Sequence, residues 1–305
     1  MYYYIINPAA GNGKIAKIQD KLKSLVKSLG IDGEFVKTTG GNDMKKLVQM
    51  ALEKNRNTII ALGGDGTVNE MANILVDKKA TLGVIPTGNT NSLARTLGIN
   101  SWEEACQILA ARKVEKIDLA KIISLPSKSS QKVKERYFIT SAEIGFESKI
   151  AKNRSEGRFF YKFIFGQKIL KQIFSLNAQK VTIEVNDSFT ATTQMFTLIV
   201  SNCRFYKKLQ SNNLCFISNP KDNLLDTLIV SKMPRFKMIK NLSSIMNGCY
   251  ENLPETSVFR SKNVKIVTKE PMDLSVDGEL VAQTPVEIEV VPHQLKVIVG
   301  KNRKF

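Results

Sequence analysis

The chain has 305 residues, of which 43% are hydrophobic and 24% charged, an ordinary composition for a globular protein that excludes wholesale disorder. This length exceeds the usual size of one domain, so two domains are expected. Its 45 Lys and Arg against 28 Asp and Glu give a net charge of +17, which favours anionic partners such as nucleotides, nucleic acid or an acidic membrane surface.

The cysteine and histidine content limits metal and redox chemistry. The four cysteines lie far apart and form no CxxC pair, so neither a zinc site nor a disulfide framework is indicated. The single histidine, His293, argues against a multi-histidine metal site or a histidine triad. The N-terminus lacks the basic region of a signal peptide, and no apolar run approaches the roughly 20 residues that span a bilayer. A cytoplasmic location is therefore expected.

The first 120 residues alternate short apolar runs with amphipathic stretches, an order that predicts a parallel sheet covered by helices. The predicted strands are YYYII, EFVKT, NTIIAL and LGVIP, and helices are predicted after the first of them, at 43–53, from about 67, and around 90–111. Ligands in such sheets bind outside the carboxyl ends of the strands, where Asn7, Thr38, Gly63 and Pro86 fall. These four corners are expected to converge on one crevice.

Residues 63–70 read GGDGTVNE at a predicted strand-to-helix corner. A glycine-rich corner exposes backbone N–H groups and the positive end of a helix, so it can bind phosphate. The run lacks the GK[ST] end of a Walker A loop, and Asn69 stands where a dinucleotide fingerprint needs glycine. Asp65 would repel a phosphate unless a divalent cation lay between them, so a cation is expected here.

Other carboxylates are candidates for the same chemistry. Asp118 lies in VEKIDLAKI, on the strand that leaves the first domain, and Asp277 and Glu279 flank Gly278 in MDLSVDGEL. Taken alone, an Asp-Gly pair is more often a hairpin turn than a catalytic element. A catalytic role for these carboxylates is indicated only when they are considered together with the other motifs.

After Asp118 the pattern predicts a mostly antiparallel β domain, since strand-like runs such as VTIEV, MFTLIVSN, LDTLIVS and VEIEVV are separated by turn residues. The polar segment 124–135 is predicted to be a solvated loop. A helix is predicted at 158–174, with an apolar stripe and lysines mostly off it. Two interpretations stay open: the helix packs on the β domain, or it touches anionic lipid.

Six motifs, in order over almost the whole chain, give a resemblance to the diacylglycerol kinase catalytic-domain family of soluble bacterial lipid kinases, which also includes sphingosine and ceramide kinases. They are NPAAGNGK (7–14), GGDGTVNE, LGVIPTGNTNSLAR (82–95), IDLAKI (117–122), ITSAEIGFES (139–148) and VDGEL (276–280). GGDGTxNE followed by PxGxxNxxAR is highly specific.

The resemblance implies a fold. We expect a Rossmann-like α/β nucleotide domain at 1–120, related to NAD kinases and phosphofructokinases, and a β-sandwich domain at 121–291 that carries the lipid site. The final strand, about 292–305, is expected to return to the first domain.

The resemblance also implies an activity: transfer of the γ-phosphate of ATP to a lipid hydroxyl, assisted by Mg²⁺, at an anionic membrane surface. Diacylglycerol is the first candidate acceptor, and sphingoid bases, monoacylglycerol and polyprenols stay open. The enzyme would be cytoplasmic and peripheral at the inner face of the membrane. No nucleic acid partner is expected, because no RNP-type motif or basic helix-turn-helix is visible. Association into a homodimer is left open.

Site residues follow from the resemblance position by position. Asp65 and Asp118 resemble the pair that organises magnesium, Glu279 resembles the general base, and Asp222 and Asp226 are candidates for a structural metal site found in some relatives. The implied nucleotide-binding positions are Asn7, Pro8, Gly11, Thr39, Gly63, Gly64, Asp65, Gly66, Thr67, Glu70, Thr87, Gly88 and Asn91.

The chain departs from the family pattern at several positions. Asn89 and Ser92 replace the threonine and aspartate of G-T-x-N-D, and Asn223 replaces a turn glycine, although asparagine tolerates a left-handed conformation. Lys207 and Lys208 stand in place of small residues. These departures favour one alternative, a non-catalytic member that binds nucleotide or acidic lipid. A further alternative is an NAD kinase, which shares GGDGT, although its second glycine-rich motif is missing.

Overall fold

The structure is a computed structural model. It describes residues 1–40, 43–126, 135–146, 148, 178–203, 218–241, 244–245, 250, 253–276, 279–303 and 305, with Asn12 described by its backbone alone. The helix predicted at 158–174, most of the loop at 124–135, Lys207, Lys208 and the Asp277-Gly278 turn lie outside these residues.

The chain divides into two compact units. The first, here the N-terminal unit, comprises Met1–Leu119, Asn219–Asn223 and Val291–Phe305, and the second, the β unit, comprises Ala120–Ser218 and Leu224–Val290. The sequence places a boundary after residue 120 and the final strand in the first domain. The short segment Asn219–Asn223 is a further part of the N-terminal unit that the sequence did not indicate.

The N-terminal unit alternates strands and helices along the chain. Its strands are β1 (Tyr2–Ile6), β2 (Gly33–Lys37), β3 (Thr58–Gly63), β4 (Thr81–Pro86), the first part of β5 (Val114–Ser124) and the last part of β15 (Val286–Ile298). Its helices are α1 (Lys14–Ser28), α2 (Asp43–Glu53), α3 (Asp65–Leu75), α4 (Ser92–Thr96) and α5 (Trp102–Ala111), and a 3-10 turn spans Ala10–Gly13.

The sheet of this unit is parallel, in the order β2-β1-β3-β4-β15. Strands β1 and β3 are buried along their whole length, as expected where helices cover a parallel sheet. Helix α1 shows the matching amphipathic pattern, because Ile15, Leu22 and Val26 are buried while its lysines are exposed. The predicted α/β architecture is confirmed.

The β unit is built mainly from antiparallel strands. They are the rest of β5, β6 (Glu135–Phe138), β7 (Ser141–Gly145), β8 (Gln179–Val185), β9 (Phe189–Ser201), β10 (Leu225–Ser231), β11 (Thr256–Ser261), β12 (Asn263–Thr268), β13 (Asp273–Val276), β14 (Glu279–Gln283) and the start of β15. One described helix, α6 (Arg235–Lys240), follows β10.

Strand β9 lies at the centre of this unit. It pairs with β8 through its first half and with β7 and β10 through its second half, and β11 pairs with β10. Because side chains alternate between faces, Leu198 and Val200 join one core while Ile199 joins another. The second core cluster consists of Phe146, Phe196, Ile199, Leu228, Val230, Met233, Met238, Ile245, Tyr250 and Leu253. The predicted β-sandwich class is confirmed.

Candidate active site

The carboxyl ends of β1, β3 and β4 meet in the N-terminal unit. Asn7 follows β1, and its Nδ2 donates to Oγ1 of Thr67 in the GGDGT run at 2.9 Å. The backbone N–H of Thr87, just after β4, donates to the carbonyl of Gly63 at 3.0 Å. Three of the corners that the sequence predicts to converge are therefore connected by hydrogen bonds.

Glycines allow these corners to approach each other. A Cβ on Gly88 would lie 2.5 Å from the Cα of Gly64, and one on Gly11 would lie 1.8 Å from the carbonyl oxygen of Thr87. Gly11 also has a φ of +60°, which favours glycine. The loops after β1, β3 and β4 thus touch through their backbones, and side chains are excluded from the contact.

Helix α3 begins directly at this contact. Its N-cap is Gly64, in an extended conformation, and this glycine offers no side chain to cap the first turn. The first N–H groups of a helix have no partner within it, and the helix dipole favours an anion beside them. Gly63 is also constrained, because a Cβ there would lie 2.4 Å from the Cβ of Thr67.

Asp65, the carboxylate inside the glycine run, is directed toward the loop after β4. Its Oδ1 accepts a hydrogen bond from the N–H of Leu93, at the start of α4, at 3.3 Å. Burial raises the pKa of the Asp65 carboxyl, and backbone hydrogen bonds from Leu93, Ser92 and Asn91 oppose that rise. The side chain therefore ties the two predicted phosphate-handling loops together. Its assignment as a magnesium ligand stays a prediction.

Two buried polar atoms in the loop after β4 have no hydrogen-bond partner among the described residues. They are Oγ1 of Thr87 and Oδ1 of Asn91. Asn91 adopts a left-handed conformation and its Nδ2 donates to the carbonyl of Gly88 at 3.0 Å, so the amide is fixed. Buried polar atoms without partners are rare in proteins. Both atoms lie in the loop that contains Gly88, so they are available to a polar ligand bound there.

A cavity of about 220 Å³ opens between the loops after β1 and β2. Thr39 is fixed at its wall, because both its N–H, at 2.9 Å, and its hydroxyl donate to Oδ2 of Asp43. These hydrogen bonds lower the pKa of the Asp43 carboxyl. The cavity is lined by Asn7, Pro8, Ala9, Thr38, Thr39, Gly40, Met44 and Glu70.

Four implied nucleotide positions, Asn7, Pro8, Thr39 and Glu70, thus line one cavity. The sequence reasoning named Thr38 only as a strand end and missed Ala9, Gly40 and Met44. Two of the missed residues are direct neighbours of implied positions. The sequence pattern did not indicate a binding role for Met44, because an apolar residue in the first turn of a helix is ordinarily a core residue.

Asp118 joins three segments of the N-terminal unit. The side chain is fully buried, its Oδ2 accepts from the N–H of Asn223 at 2.9 Å, and its Oδ1 accepts from the N–H of His293 at 2.8 Å. Its own N–H donates to the carbonyl of Pro220 at 2.7 Å. Asn223 has a φ of 59°, so the left-handed conformation expected at this turn is confirmed. The observed contacts give Asp118 a positioning role, and its role as a magnesium ligand stays a prediction.

Glu115 also holds the segment Asn219–Asn223, and the sequence reasoning missed it. Its carboxylate contacts Lys221, and Arg303 from the C-terminal segment at 2.7 Å. The hydrogen bond from Lys221 is the main cause that lowers the pKa of Glu115. No local pattern points to Glu115, because its partners are distant along the chain.

Glu279, the predicted general base, is the first residue of β14. Its side chain is 63% exposed, and its Oε2 accepts from Nη2 of Arg136 at 3.1 Å. Asp226 in the same unit is buried and accepts from Nε of Arg260 at 2.8 Å, whereas Asp222 belongs to the N-terminal unit. Within the described ranges, no group of three or more His, Cys, Asp or Glu side chains could hold a metal ion.

None of the helices that the structure describes is both long and apolar enough to cross a bilayer.

Comparison with known proteins identifies the family. Residues 1–122 match the diacylglycerol kinase catalytic domain, and residues 140–299 match the YegS C-terminal NAD kinase beta sandwich-like domain. A diacylglycerol kinase of Mycobacterium tuberculosis is 25% identical over 96% of this chain and 93% of its own, and one of Bacillus subtilis strain 168 is 26% identical over 98% and 96%.

A crystal structure described as a diacylglycerol kinase from Bacillus anthracis strain Sterne has the same fold. The TM-score is 0.72 at 21% identity, and the match covers 99% of this chain and 97% of that one. Both family domains are therefore present in the order that the motifs predict, and the chain belongs to the diacylglycerol kinase catalytic-domain family of lipid kinases.

Proposed function

We propose that the protein transfers the γ-phosphate of ATP to the hydroxyl of diacylglycerol and so produces phosphatidic acid. The observation that carries this proposal is the backbone contact between Gly64 and Gly88, beside the first turn of α3, whose N-cap is a glycine. Membership of a lipid kinase family supports ATP as the donor, and relatives named diacylglycerol kinase support the acceptor.

The contacts of the N-terminal unit fit a nucleotide. The cavity beside Asn7 and Thr39 has room for part of a nucleotide, so we assign it the nucleoside end. The first N–H groups of α3 and the hydroxyl of Thr87 would donate to phosphate oxygens. The glycine backbones at positions 64 and 88 leave no side chain in the way of those oxygens.

A magnesium ion fits this site through Asp65. Mg²⁺ is commonly held by one or two carboxylates together with substrate phosphates, so a larger cluster of acids is not required. Burial raises the pKa of Asp65, and a nearby cation would favour its ionised form. Asp118 fits less well, because it is fully buried and both oxygens accept backbone N–H groups. When bound, the ion would neutralise charge on the phosphate oxygens.

We assign Glu279 the role of general base. As the lipid hydroxyl oxygen bonds to the γ-phosphorus and the bond to ADP breaks, the hydroxyl proton passes to the Glu279 carboxylate. Its exposed carboxylate is accessible to a lipid head, and Arg136 at 3.1 Å restricts its orientation. Arg136 is therefore a positioning residue for the base.

The acceptor is a membrane lipid, so we place the reaction at the inner, cytoplasmic face of an anionic membrane. The net charge of +17 would attract the protein to such a surface.

The two described cysteines, Cys106 and Cys203, are buried free thiols, and burial raises the pKa of Cys106 to about 11.

One observation favours a second candidate function, nucleotide binding without catalysis. Ser92 stands where the family pattern has an aspartate, it is buried, and its N–H faces Asp65. The loop therefore supplies one carboxylate fewer than the family pattern. A family member with this loop could bind nucleotide and leave the acceptor unphosphorylated.

An acceptor screen tests the proposal. Purified protein is incubated with labelled ATP, Mg²⁺ and mixed micelles that contain diacylglycerol, sphingosine, monoacylglycerol or a polyprenol, and products are identified by mass spectrometry. We expect phosphatidic acid from diacylglycerol. Labelled product from another acceptor would replace the substrate assignment, and ATP binding without any lipid phosphate would support the non-catalytic function. Formation of NADP from added NAD would show an NAD kinase.

A further inference from the structure

Helix α6 presents large apolar side chains to solvent. Phe236 is 68% exposed and Ile239 is 43% exposed, whereas Met238 on the opposite side is buried in the second core cluster. Positions three apart in a helix lie next to each other, so Phe236 and Ile239 form one patch. An exposed apolar patch with polar side chains at its edge is a candidate interaction surface, and its surroundings decide what it binds.

Basic side chains surround this apolar pair. Lys232, Arg235 and Lys240 are exposed, and Lys237 pairs with Glu255 at 2.7 Å. Between residues 227 and 250 the sequence contains four basic residues and no acidic one. The exposed side chains of Lys232, Arg235 and Lys240, next to the apolar pair along the chain, complement an anionic surface.

The helix is fixed rather than free. Met233 and Met238 are buried with Leu228 of β10, and the Lys237–Glu255 ion pair holds the helix to the chain before β11. Leu228 lies directly opposite Val258 of β11, so both side chains are on the same face of the sheet. Val258 is 51% exposed, which adds an apolar residue to the face on which α6 packs.

We propose that the α6 surface, formed by Lys232, Arg235, Phe236, Ile239 and Lys240, binds the surface of an anionic phospholipid bilayer. Phe236 and Ile239 insert at the boundary between headgroups and acyl chains, and the basic side chains contact lipid phosphates. The inference rests on the proposed function for the location of the substrate, and it names the surface through which the protein reaches the bilayer.

A membrane is the occupant that the observations favour. Exposed aromatic and aliphatic tips beside exposed basic side chains match the two components of an interface, which are an apolar interior and anionic headgroups. Since the helix is already anchored to the sheet, little conformational entropy is lost on binding. A second copy of the chain would bring an equally basic surface against this one.

Vesicle co-sedimentation tests the proposal. Full-length protein is mixed with vesicles of phosphatidylcholine alone, or of phosphatidylcholine and phosphatidylglycerol in equal parts. We expect binding to the second kind, weakened by salt because the basic contribution is screened. The double variant Phe236→Ala/Ile239→Ala should bind at least about tenfold more weakly. Lys232→Gln/Lys240→Gln should bind about 25-fold more weakly, since each basic residue near the surface contributes about fivefold.

Matched control variants are available elsewhere on the chain. Phe189 on β9 is 62% exposed, so Phe189→Ala removes an equally exposed aromatic ring outside the α6 surface. Lys78 and Lys79 are exposed after α3, so Lys78→Gln/Lys79→Gln removes the same charge. Both controls should bind within about twofold of wild type. Unchanged melting temperatures for all variants would show that folding is retained.

The outcomes separate this inference from the proposed function. Equal vesicle binding by Phe236→Ala/Ile239→Ala and wild type, or no binding by wild type, would overturn the inference. A dimer in light scattering that only this variant disrupts, with vesicle binding intact, would assign the surface to a second copy and also overturn it. If wild type binds vesicles through α6 but phosphorylates no lipid, the proposed function fails and the inference stands. If both the inference and the proposed function are correct, Phe236→Ala/Ile239→Ala loses kinase activity on vesicles and keeps it on a short-chain, monomeric diacylglycerol.

Discussion

Gly64 and Gly88 touch backbone to backbone, because a Cβ on Gly88 would lie 2.5 Å from the Cα of Gly64. Gly88→Ala should therefore separate the loops after β3 and β4. We expect the free energy of unfolding to fall by about 1–3 kcal/mol. The dissociation constant for ATP should rise at least about tenfold, because the phosphate loops no longer fit together. Urea unfolding and calorimetric titration measure the two effects.

Gly83→Ala is the matched control for this prediction. A Cβ on Gly83 would meet the side-chain tips of Ile60 and Leu109 at 2.4 and 2.6 Å, inside the core and away from the loops. It should lower stability and leave the ATP affinity of the folded protein unchanged. Wild-type affinity in Gly88→Ala would contradict the assignment of this contact to the nucleotide.

Thr87→Val tests the unpartnered hydroxyl. In the free protein the change removes a buried polar atom that has no hydrogen-bond partner within the described part of the chain, so the free energy of unfolding should stay the same or rise by about 1 kcal/mol. ATP should bind about tenfold more weakly, because a donor to phosphate is lost. Thr96→Val is the control, since its hydroxyl donates to the carbonyl of Ser92 at 3.1 Å. Thr96→Val should lose stability and keep its ATP affinity. If Thr87→Val instead kept its ATP affinity while Thr96→Val lost it, the role of Thr87 would be refuted.

The stability contribution of Asp65 should depend on pH. Because burial raises its pKa, the folded state binds the proton more tightly than the unfolded chain. The stabilisation that this bound proton provides is fully present below the ordinary carboxyl pKa, about 4. It is lost as the pH rises through the raised pKa of the folded state. In Asp65→Asn nothing titrates at this position, so the variant should gain stability relative to wild type as pH rises. Melting temperatures of both proteins without nucleotide, across acid to neutral pH, measure the difference. A difference independent of pH would contradict the account.

Asp118→Asn should destabilise the N-terminal unit. Asparagine keeps one carbonyl oxygen, so either the N–H of Asn223 or that of His293 loses its acceptor and faces an NH₂ group. The expected loss is about 2–4 kcal/mol, with faster hydrogen exchange at both amides. Asp20→Asn on the exposed face of α1 is the control and should change stability by less than about 0.5 kcal/mol. Unchanged exchange at Asn223 and His293 would show that Asp118 does not hold these segments.

The parts of the fold that the sequence predicted depend on local pattern. The helical period of α1 and the apolar runs of β1 and β3 reflect burial of residues that are close together along the chain. The order of strands and helices could therefore be predicted from the sequence. The glycine-rich corner could also be predicted, because the backbone geometry of a strand-to-helix turn requires residues without a Cβ.

The parts that the sequence did not predict depend on contacts between distant residues. Asp118 and Asn223 are 105 residues apart, and no periodicity connects them. The partner of Asp65 lies on α4, so its carboxylate was interpreted only as a metal ligand. Helix α6 has six residues, too few for an amphipathic period, and only the structure distinguishes buried Met238 from exposed Phe236.

Glu279→Gln measures the central claim most directly. With ATP, Mg²⁺ and diacylglycerol in mixed micelles, wild type should form phosphatidic acid, and the variant should lose at least about a hundredfold in kcat because no base accepts the hydroxyl proton. Its dissociation constant for ATP should match that of wild type, since the assigned partner of Glu279 is the lipid hydroxyl and Gln keeps the size of the side chain. Wild-type turnover in Glu279→Gln, or no phosphatidic acid from wild type, would contradict the account.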